Sequence, residues 1–267
     1  MVTTEYRIKG AADITIAIVA DLHEREPDEV LSILKAVQPD VIAVPGDLLE
    51  RHEFGENLDK EDESVVSRLL CSCIHLANKI AGLRWRQKHD VKKENAYRFL
   101  TEASGIAPVL YSLGNHELYL TDEDRAVLRS AGVHLLNNSS VEVGNVLFGG
   151  IPSKQTSGKI DHSYLEEFSE AVGADGKPMY KVLLCHHPEY YEKIKQYNID
   201  LVLSGHAHGG QIRVCGRGIF SPGQGLIPRF YHGVYDRLVV SAGCCNTASI
   251  PRFGNPCEVV VVRVEHP

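Results

Sequence analysis

Several short stretches of this chain carry side chains able to bind a cation. Asp21 and His23 stand in "VADLH", Asp47 in "PGDLLE", Asn115 and His116 in "LGNHE", His186 and His187 in "CHHPE", and His206 and His208 in "SGHAHGGQ". Carboxylate, amide oxygen and imidazole are oxygen and nitrogen donors that suit Mn, Fe or Zn, whereas a thiolate site would need Cys. On an extended chain, residues i and i+2 point to the same side. Asp21 with His23, and His206 with His208, can therefore each present two donors to one pocket. The glycines around His206 and His208 fit a pocket reached by several backbones, because Gly tolerates close approach and unusual backbone angles. Taken singly, each stretch has a bland reading. A lone His is more often hydrogen-bonded or exposed than a ligand, and "GD" is a common turn. The ordered set carries the meaning.

Each stretch follows an apolar run. "ITIAIVA", "DVIAVP", "PVLYSL", "KVLLC" and "IDLVLS" each pass directly into the polar residues. Continuous apolar runs of this length read as strands buried on both faces. In α/β sheets, functional residues collect at the carboxyl ends of such strands. Helical patterns lie between the runs. "DEVLSILKAVQ" places Val30, Leu31, Leu34 and Val37 on one face. "TDEDRAVLRSAG" opens on a capping-box pattern, Thr121 with Asp124, and ends at Gly132. "SYLEEFSEAVG" repeats the device with Ser163, Glu166 and Gly173. "RLVVSAG" and "CEVVVVRVE" add later strands. Alternating strands and helices predict an α/β fold, read as one domain over 1–267.

One segment breaks the rhythm. Between Arg51 and about Leu100, apolar residues at Val66, Leu69, Leu70, Cys73, Ile74, Ala77 and Ile80 recur at helical spacing, followed by the basic patch "RWRQKH". This predicts a helical insertion over 51–100.

The formal net charge of -7 argues against a dedicated nucleic-acid binder, whose affinity comes largely from Lys and Arg on phosphates. It leaves room for a phosphate-bearing substrate, since bound cations supply positive charge locally. "MVTTEYRIKGAAD" shows no secretory signal pattern, and no apolar run reaches the about 18 residues of a membrane span. The expected location is cytoplasmic. The 7 cysteines have no repeating spacing and do not read as a disulfide framework, and Cys71, Cys73, Cys244 and Cys245 are read as small buried hydrophobes rather than metal ligands.

D-x-H, G-D, G-N-H-E, H and G-H-x-H, standing here as "DLH", "GDLL", "GNHE", "HHPE" and "GHAHGGQ", resemble the calcineurin-like metallophosphoesterase superfamily. The bacterial YkuE-type branch is the nearest in pattern. The resemblance covers Asp21 to Gln211. It implies two stacked mixed β-sheets flanked by helices, an α/β/β/α sandwich, with a site for two divalent metal ions, Mn, Fe, Zn, Co or Ni, at one edge. It implies that Asp21, His23 and His208 bind one ion, that Asn115, His186 and His206 bind the other, and that Asp47 bridges them. His187 competes with His186, and the family pattern, with its ligand two positions before Pro188, favours His186. His116 would stand over the substrate and serve the leaving oxygen. Glu50 either orients that His or is a solvated loop carboxylate.

The implied reaction is hydrolysis of a phosphate ester by a water that both metals activate. A phosphodiester or pyrophosphate is favoured, with a lipid-linked substrate in view. A phosphomonoesterase, a nuclease and a non-catalytic scaffold on the same fold are the alternatives. The stripe beside Arg84, Trp85, Arg86 and Lys88 either packs on the domain or makes a peripheral membrane contact. "GDLLERHEF" departs from the Ser/Thr phosphatase signature, and Glu50 stands where purple acid phosphatases carry a Tyr ligand. The oligomeric state is left open.

Overall fold

The computed structural model describes residues 1–51, 92–153, 159–173, 175–246 and 252–267. Its strands are β1 (Val2–Lys9), β2 (Ile14–Ile18), β3 (Val41–Pro45), β4 (Val109–Ser112), β5 (His134–Leu135), β6 (Ser139–Val143), β7 (Val146–Ile151), β8 (Tyr180–Cys185), β9 (Leu201–Ser204), β10 (Arg213–Val214), β11 (Arg217–Gly218), β12 (Phe220–Ser221), β13 (Gly225–Leu226), β14 (Gly233–Tyr235), β15 (Leu238–Val240) and β16 (Glu258–Glu265). The helices are α1 (Asp28–Val37), α2 (Lys93–Ser104), α3 (Asp122–Ser130), α4 (His162–Glu170) and α5 (Tyr191–Ile194).

Two six-stranded sheets form, with orders β1-β16-β2-β3-β4-β5 and β14-β15-β9-β8-β7-β6. Both are mixed. In the first, β2, β3, β4 and β5 run parallel while β16 runs antiparallel to β2. In the second, β15, β9, β8 and β7 run parallel, with β14 and β6 antiparallel at the edges. Strand β1 pairs with β16, so the two ends of the chain share one sheet.

The two-residue side-chain period of a strand explains the layering. Ile14, Ile16 and Ile18 face a core that also takes Phe148, Val182, Leu184, Leu201 and Leu203 from the second sheet. The sheets are therefore stacked on each other. Ala17 and Val19, of opposite parity, face an outer core with Val30, Leu31 and Leu34 of α1 and Phe99 and Leu100 of α2. The second sheet's other face is covered by Leu165 and Phe168 of α4 and Tyr191 and Ile194 of α5. Helices cover the outer face of each sheet, giving the expected α/β/β/α layering.

Local details depart from the sequence reading at a few points. Helix α3 starts at Thr121 with the expected reciprocal capping box to Asp124. Helix α4 is instead capped by Asp161, whose side chain accepts the Tyr164 N–H, and it ends at Glu170, short of Gly173. The carboxylate two residues before Ser163 competes better for the free N–H groups of the first turn. Strand β7 is fully buried yet was not legible, because Gly149 and Gly150 interrupt its apolar run. Of the segment 51–100, Arg51 and the part from Lys92 on are described. There α2 buries Ala96, Phe99, Leu100 and Ala103 against the first sheet as it leads into β4. The stripe from Val66 to Ile80, the "RWRQKH" patch, Cys71 and Cys73 lie outside the described residues. Cys244 and Cys245 are buried free thiols, as expected. Among the described residues, no helix is long and apolar enough to cross a membrane.

Candidate metal centre

The residues singled out in the sequence follow β2, β3 and β4 in one sheet and β8 and β9 in the other. Strand β3 packs across β8 and β9, so the carboxyl ends of both strand sets meet at one edge of the sandwich. Backbone hydrogen bonds lace these ends together. Asp21 N–H donates to Gly46 O, His23 N–H to Asp47 O, and Gly205 N–H to His186 O. The Asp21 carboxylate accepts the His206 N–H at 3.1 Å.

Sequence reasoning placed the unusual backbone angles on the glycines. The structure bears this out at Gly46, Gly209 and Gly210, with φ of 93°, 62° and 74°, and extends it to the side chains that face the centre. Asp21, His23, Asp47, His206 and His208 all have positive φ, between 44° and 64°. These angles are sparsely populated by non-glycine residues and are held by the surrounding structure. Glycine also serves close approach. A Cβ on Gly205 would lie 2.8 Å from Asp21 Oδ2.

The i, i+2 argument for His206 and His208 also needs correction. The two imidazoles do not join one group. His208 gathers with Asp21 and His23, while His206 gathers with Asp47 and His186. The positive φ at His206 and the 3-10 turn His208–Gly210 break the extended geometry that the i, i+2 argument assumes. Asp47 also groups with His23 and His116 and so stands between the two sets. Within each set the potential ligand atoms lie within 4.8 Å of one another.

His186 has a defined tautomeric problem. Its Nδ1 lies 2.8 Å from the Pro45 carbonyl, which can only accept, so Nδ1 carries a proton. Its Nε2 then faces Asn115 Oδ1 at 2.9 Å and Asp47 Oδ2 at 3.1 Å. Three lone-pair donors converge, and either a proton or a cation must sit among them. In the metal-free chain the proton does so. Burial opposes the imidazolium, but Asp47 and Asp21 push its pKa up to about 9.

His187 is differently engaged. Its Nε2 lies 2.8 Å from Ser153 Oγ and its Nδ1 3.1 Å from Glu189 Oε1. Both ring nitrogens are committed away from Asp47, and the geometry favours His186 in the group with Asp47 and Asn115.

His23 Nδ1 bonds Glu50 Oε1 at 2.5 Å, and its Nε2 is buried without a hydrogen-bond partner among the described residues. His208 Nδ1 is likewise buried without a hydrogen-bond partner among the described residues, and the buried Asp47 Oδ2 has His186 Nε2 at 3.1 Å. Unsatisfied buried polar atoms are costly and rare. Their concentration here, all electron-pair donors, fits a cation-binding centre. Burial raises the Asp47 carboxyl, but His186 and His116 hold it well below the usual range. Burial, reinforced by the Asp47 charge, pushes Asp21 up. Burial, reinforced by neighbouring cationic groups, pushes His206 and His208 well below the usual imidazole value.

His116 sits at the rim, less buried than the others. Its N–H donates to Asp47 Oδ1 at 3.0 Å, and its Nδ1 lies 2.9 Å from Glu50 Oε2. Glu50 is thus bonded to two histidines rather than being a solvated loop carboxylate. Burial raises the Glu50 carboxyl, but the bonds from His116 and His23 draw it down to about 2.

Glu117, the last residue of "GNHE", had no role assigned from sequence. It is fully buried. Its carboxylate accepts the backbone N–H groups of Asp47, Leu48, Leu49 and Gly114 and the Tyr111 hydroxyl, at 2.6–3.0 Å. It clamps the Asp47 loop to the Asn115 loop. The motif itself was the available signal, since an acidic residue inside a ligand loop needs donors if it is buried. On the outer side, Arg51 makes a bidentate pair with Asp124 and contacts Glu24, tying the same loop to the start of α3.

A family model described as calcineurin-like phosphoesterase matches residues 14–210. The chain is 26% identical over 213 residues to the uncharacterized protein YpbG of Bacillus subtilis, covering 78% of this chain and 66% of that one. It is 27% identical over 268 residues to an uncharacterized metallophosphoesterase of Aquifex aeolicus, covering 98% and 86%. With a Helicobacter pylori metallophosphoesterase it shares 29% identity over 161 residues, 58% of this chain and 42% of that one. Among solved structures, the phosphoesterase Yfce of E. coli superposes with a TM-score of 0.37 at 12% identity, covering 93% of this chain and 87% of the other. The family match spans every strand end that carries a candidate ligand, and the chain belongs to the calcineurin-like phosphoesterase family.

Proposed function

We propose that this protein hydrolyses a phosphate ester using two divalent cations. Asp21, His23 and His208 would hold one and Asn115, His186 and His206 the other, with Asp47 between them. The observation that carries this reading is the convergence of His186 Nε2, Asn115 Oδ1 and Asp47 Oδ2 with no proton donor among them once His186 is neutral. When bound, a cation pair supplies a water nucleophile at neutral pH and neutralises phosphate oxygens.

The chain's own residues divide the remaining work. Glu50 holds the His116 ring through Nδ1, and Nε2 would serve a substrate oxygen. Asp47 and Glu50 together overcome the burial cost and push the His116 pKa up to about 10. In the metal-free chain this favours the protonated imidazole, the form that can give a proton to a departing alkoxide. Glu117 and Arg51 keep the loops of Asp47, Asn115 and His116 in register.

A phosphodiester or pyrophosphate carrying an apolar group is the favoured substrate class. Support comes from large exposed apolar side chains on loops at the ligand-bearing edge. Leu118 and Tyr119 directly follow "GNHE", and Phe253 pairs with Ile212 beside the "GHAHGGQ" loop.

The test is metal analysis of the purified protein with hydrolysis of an aryl phosphodiester and an aryl phosphomonoester, before and after chelation. About two equivalents of divalent metal per chain are expected, with hydrolysis lost on chelation and restored by added metal. Hydrolysis that survives complete metal removal would refute the reading.

A further inference from the structure

Next to His206 lies a hydrogen-bonded chain that the reading above does not use. It starts at Ser153, just after β7, whose N–H donates to Leu113 O. Ser153 Oγ lies 2.8 Å from His187 Nε2, and His187 Nδ1 lies 3.1 Å from Glu189 Oε1. Ser153 and His187 are buried. His187 is stacked on Tyr190 and stands 4.1 Å, centroid to centroid, from the His206 ring. Glu189 Oε2 is buried and has no hydrogen-bond partner among the described residues.

His187, Glu189 and His206 lie within 4.8 Å of one another in their potential ligand atoms. A separate cation site is the first reading of such a group, but it fails on His187, both of whose ring nitrogens are engaged. What remains is a carboxylate anchored at one oxygen and set against the imidazole of a candidate ligand. A carboxylate that accepts the second ring N–H fixes the orientation and raises the basicity of a metal-binding histidine, and Glu189 Oε2 has no competing hydrogen-bond partner among the described residues.

The hairpin of β12 and β13 closes over this pair. Its turn residue Gly223 has φ +70°, and a Cβ there would lie 2.4 Å from Glu189 Oε1 and 3.2 Å from His206 Nε2. Only glycine leaves both atoms undisturbed. The hairpin is itself pinned by Gln224, which accepts the Phe230 N–H and donates to the Phe230 carbonyl.

We propose that Glu189, held by His187 and Ser153 and sheltered by Gly223, is a positioning residue for His206 and selectively sets the affinity of the cation that His206 would share with His186 and Asn115. This rests on the two-cation reading above.

The experiment titrates Mn(II) into the metal-free wild-type chain, Glu189→Gln and Gly223→Ala, and follows the urea unfolding midpoint of each metal-free protein. In Glu189→Gln, one equivalent keeps its wild-type affinity and the other weakens about 10–100-fold, with the midpoint unchanged. Gly223→Ala keeps the carboxylate but displaces it, and the same single equivalent weakens. Should Glu189→Gln bind both equivalents as tightly as wild type, or lose both in parallel, the proposal is overturned. A wild-type chain that takes up no Mn(II) would refute the two-cation reading instead.

Discussion

One carboxylate, Glu50, is bonded to both His23 and His116. Its Oε1 lies 2.5 Å from His23 Nδ1 and its Oε2 2.9 Å from His116 Nδ1. The rings meet edge-on with centroids 4.6 Å apart. A candidate ligand and the candidate proton donor are therefore oriented by the same side chain. Glu50→Gln keeps the size but presents an amide N–H to one of the two Nδ1–H groups. That ring must turn or change tautomer. We expect kcat to fall about 10–100-fold with KM changed far less. A variant with wild-type kcat would show that neither ring depends on Glu50.

Asp47→Asn tests the centre directly. Its Oδ1 bond to the His116 N–H can be kept by the amide oxygen. The charge that faces His186 is lost. The fold should survive, as read by circular dichroism. The divalent-metal content should drop and kcat should fall about a thousandfold or more. Full metal content with undiminished turnover would remove Asp47 from the site.

Metal-free protein should be most stable near neutral pH. His116 and His186 have folded pKa values of about 10 and about 9, above the unfolded value of about 6.5. Their contribution is fully present below about pH 6.5 and is lost as pH rises through those values. His206 and His208 are depressed by burial, so their neutral forms favour the fold above about pH 6.5 and that contribution is lost on acidification. Urea midpoints of the chelated protein from pH 5 to 9 should trace a maximum between the two losses. A flat profile would contradict these shifts.

Glu117→Ala should cost about 3 kcal/mol or more, because buried N–H donors from two loops lose their common acceptor. Chemical denaturation of the metal-free protein measures this. Metal affinity should fall together with stability, since the same carboxylate holds the Asp47 and Asn115 loops. An effect below about 0.5 kcal/mol, ordinary for a surface site, would contradict the clamp.

How much of this was legible beforehand follows from the range of each interaction. The apolar runs fixed β2, β3, β4, β8 and β9, since a doubly buried strand has to be apolar throughout. Their polar sequels hold Asp21, His23, Asp47, Asn115, His186, His206 and His208, while Glu117 and Glu189 had no role assigned from them. The types of the candidate ligands and their order along the chain are local properties, and the sequence alone determined them. How the ligands are grouped is not local. The Asp21 carboxylate meets the His206 amide across 185 positions, and His186 meets the Pro45 carbonyl across 141. Only the stacking of two sheets, end to end at β3, β8 and β9, decides which imidazole joins which carboxylate. The same stacking separates His206 from His208, turns His187 away from Asp47, bonds Glu50 to two rings and buries Glu117 beneath them. Side-chain periodicity along one strand could not foresee this, because the left-handed turns at Asp21, His23, Asp47, His206 and His208 end the extended geometry on which that periodicity depends.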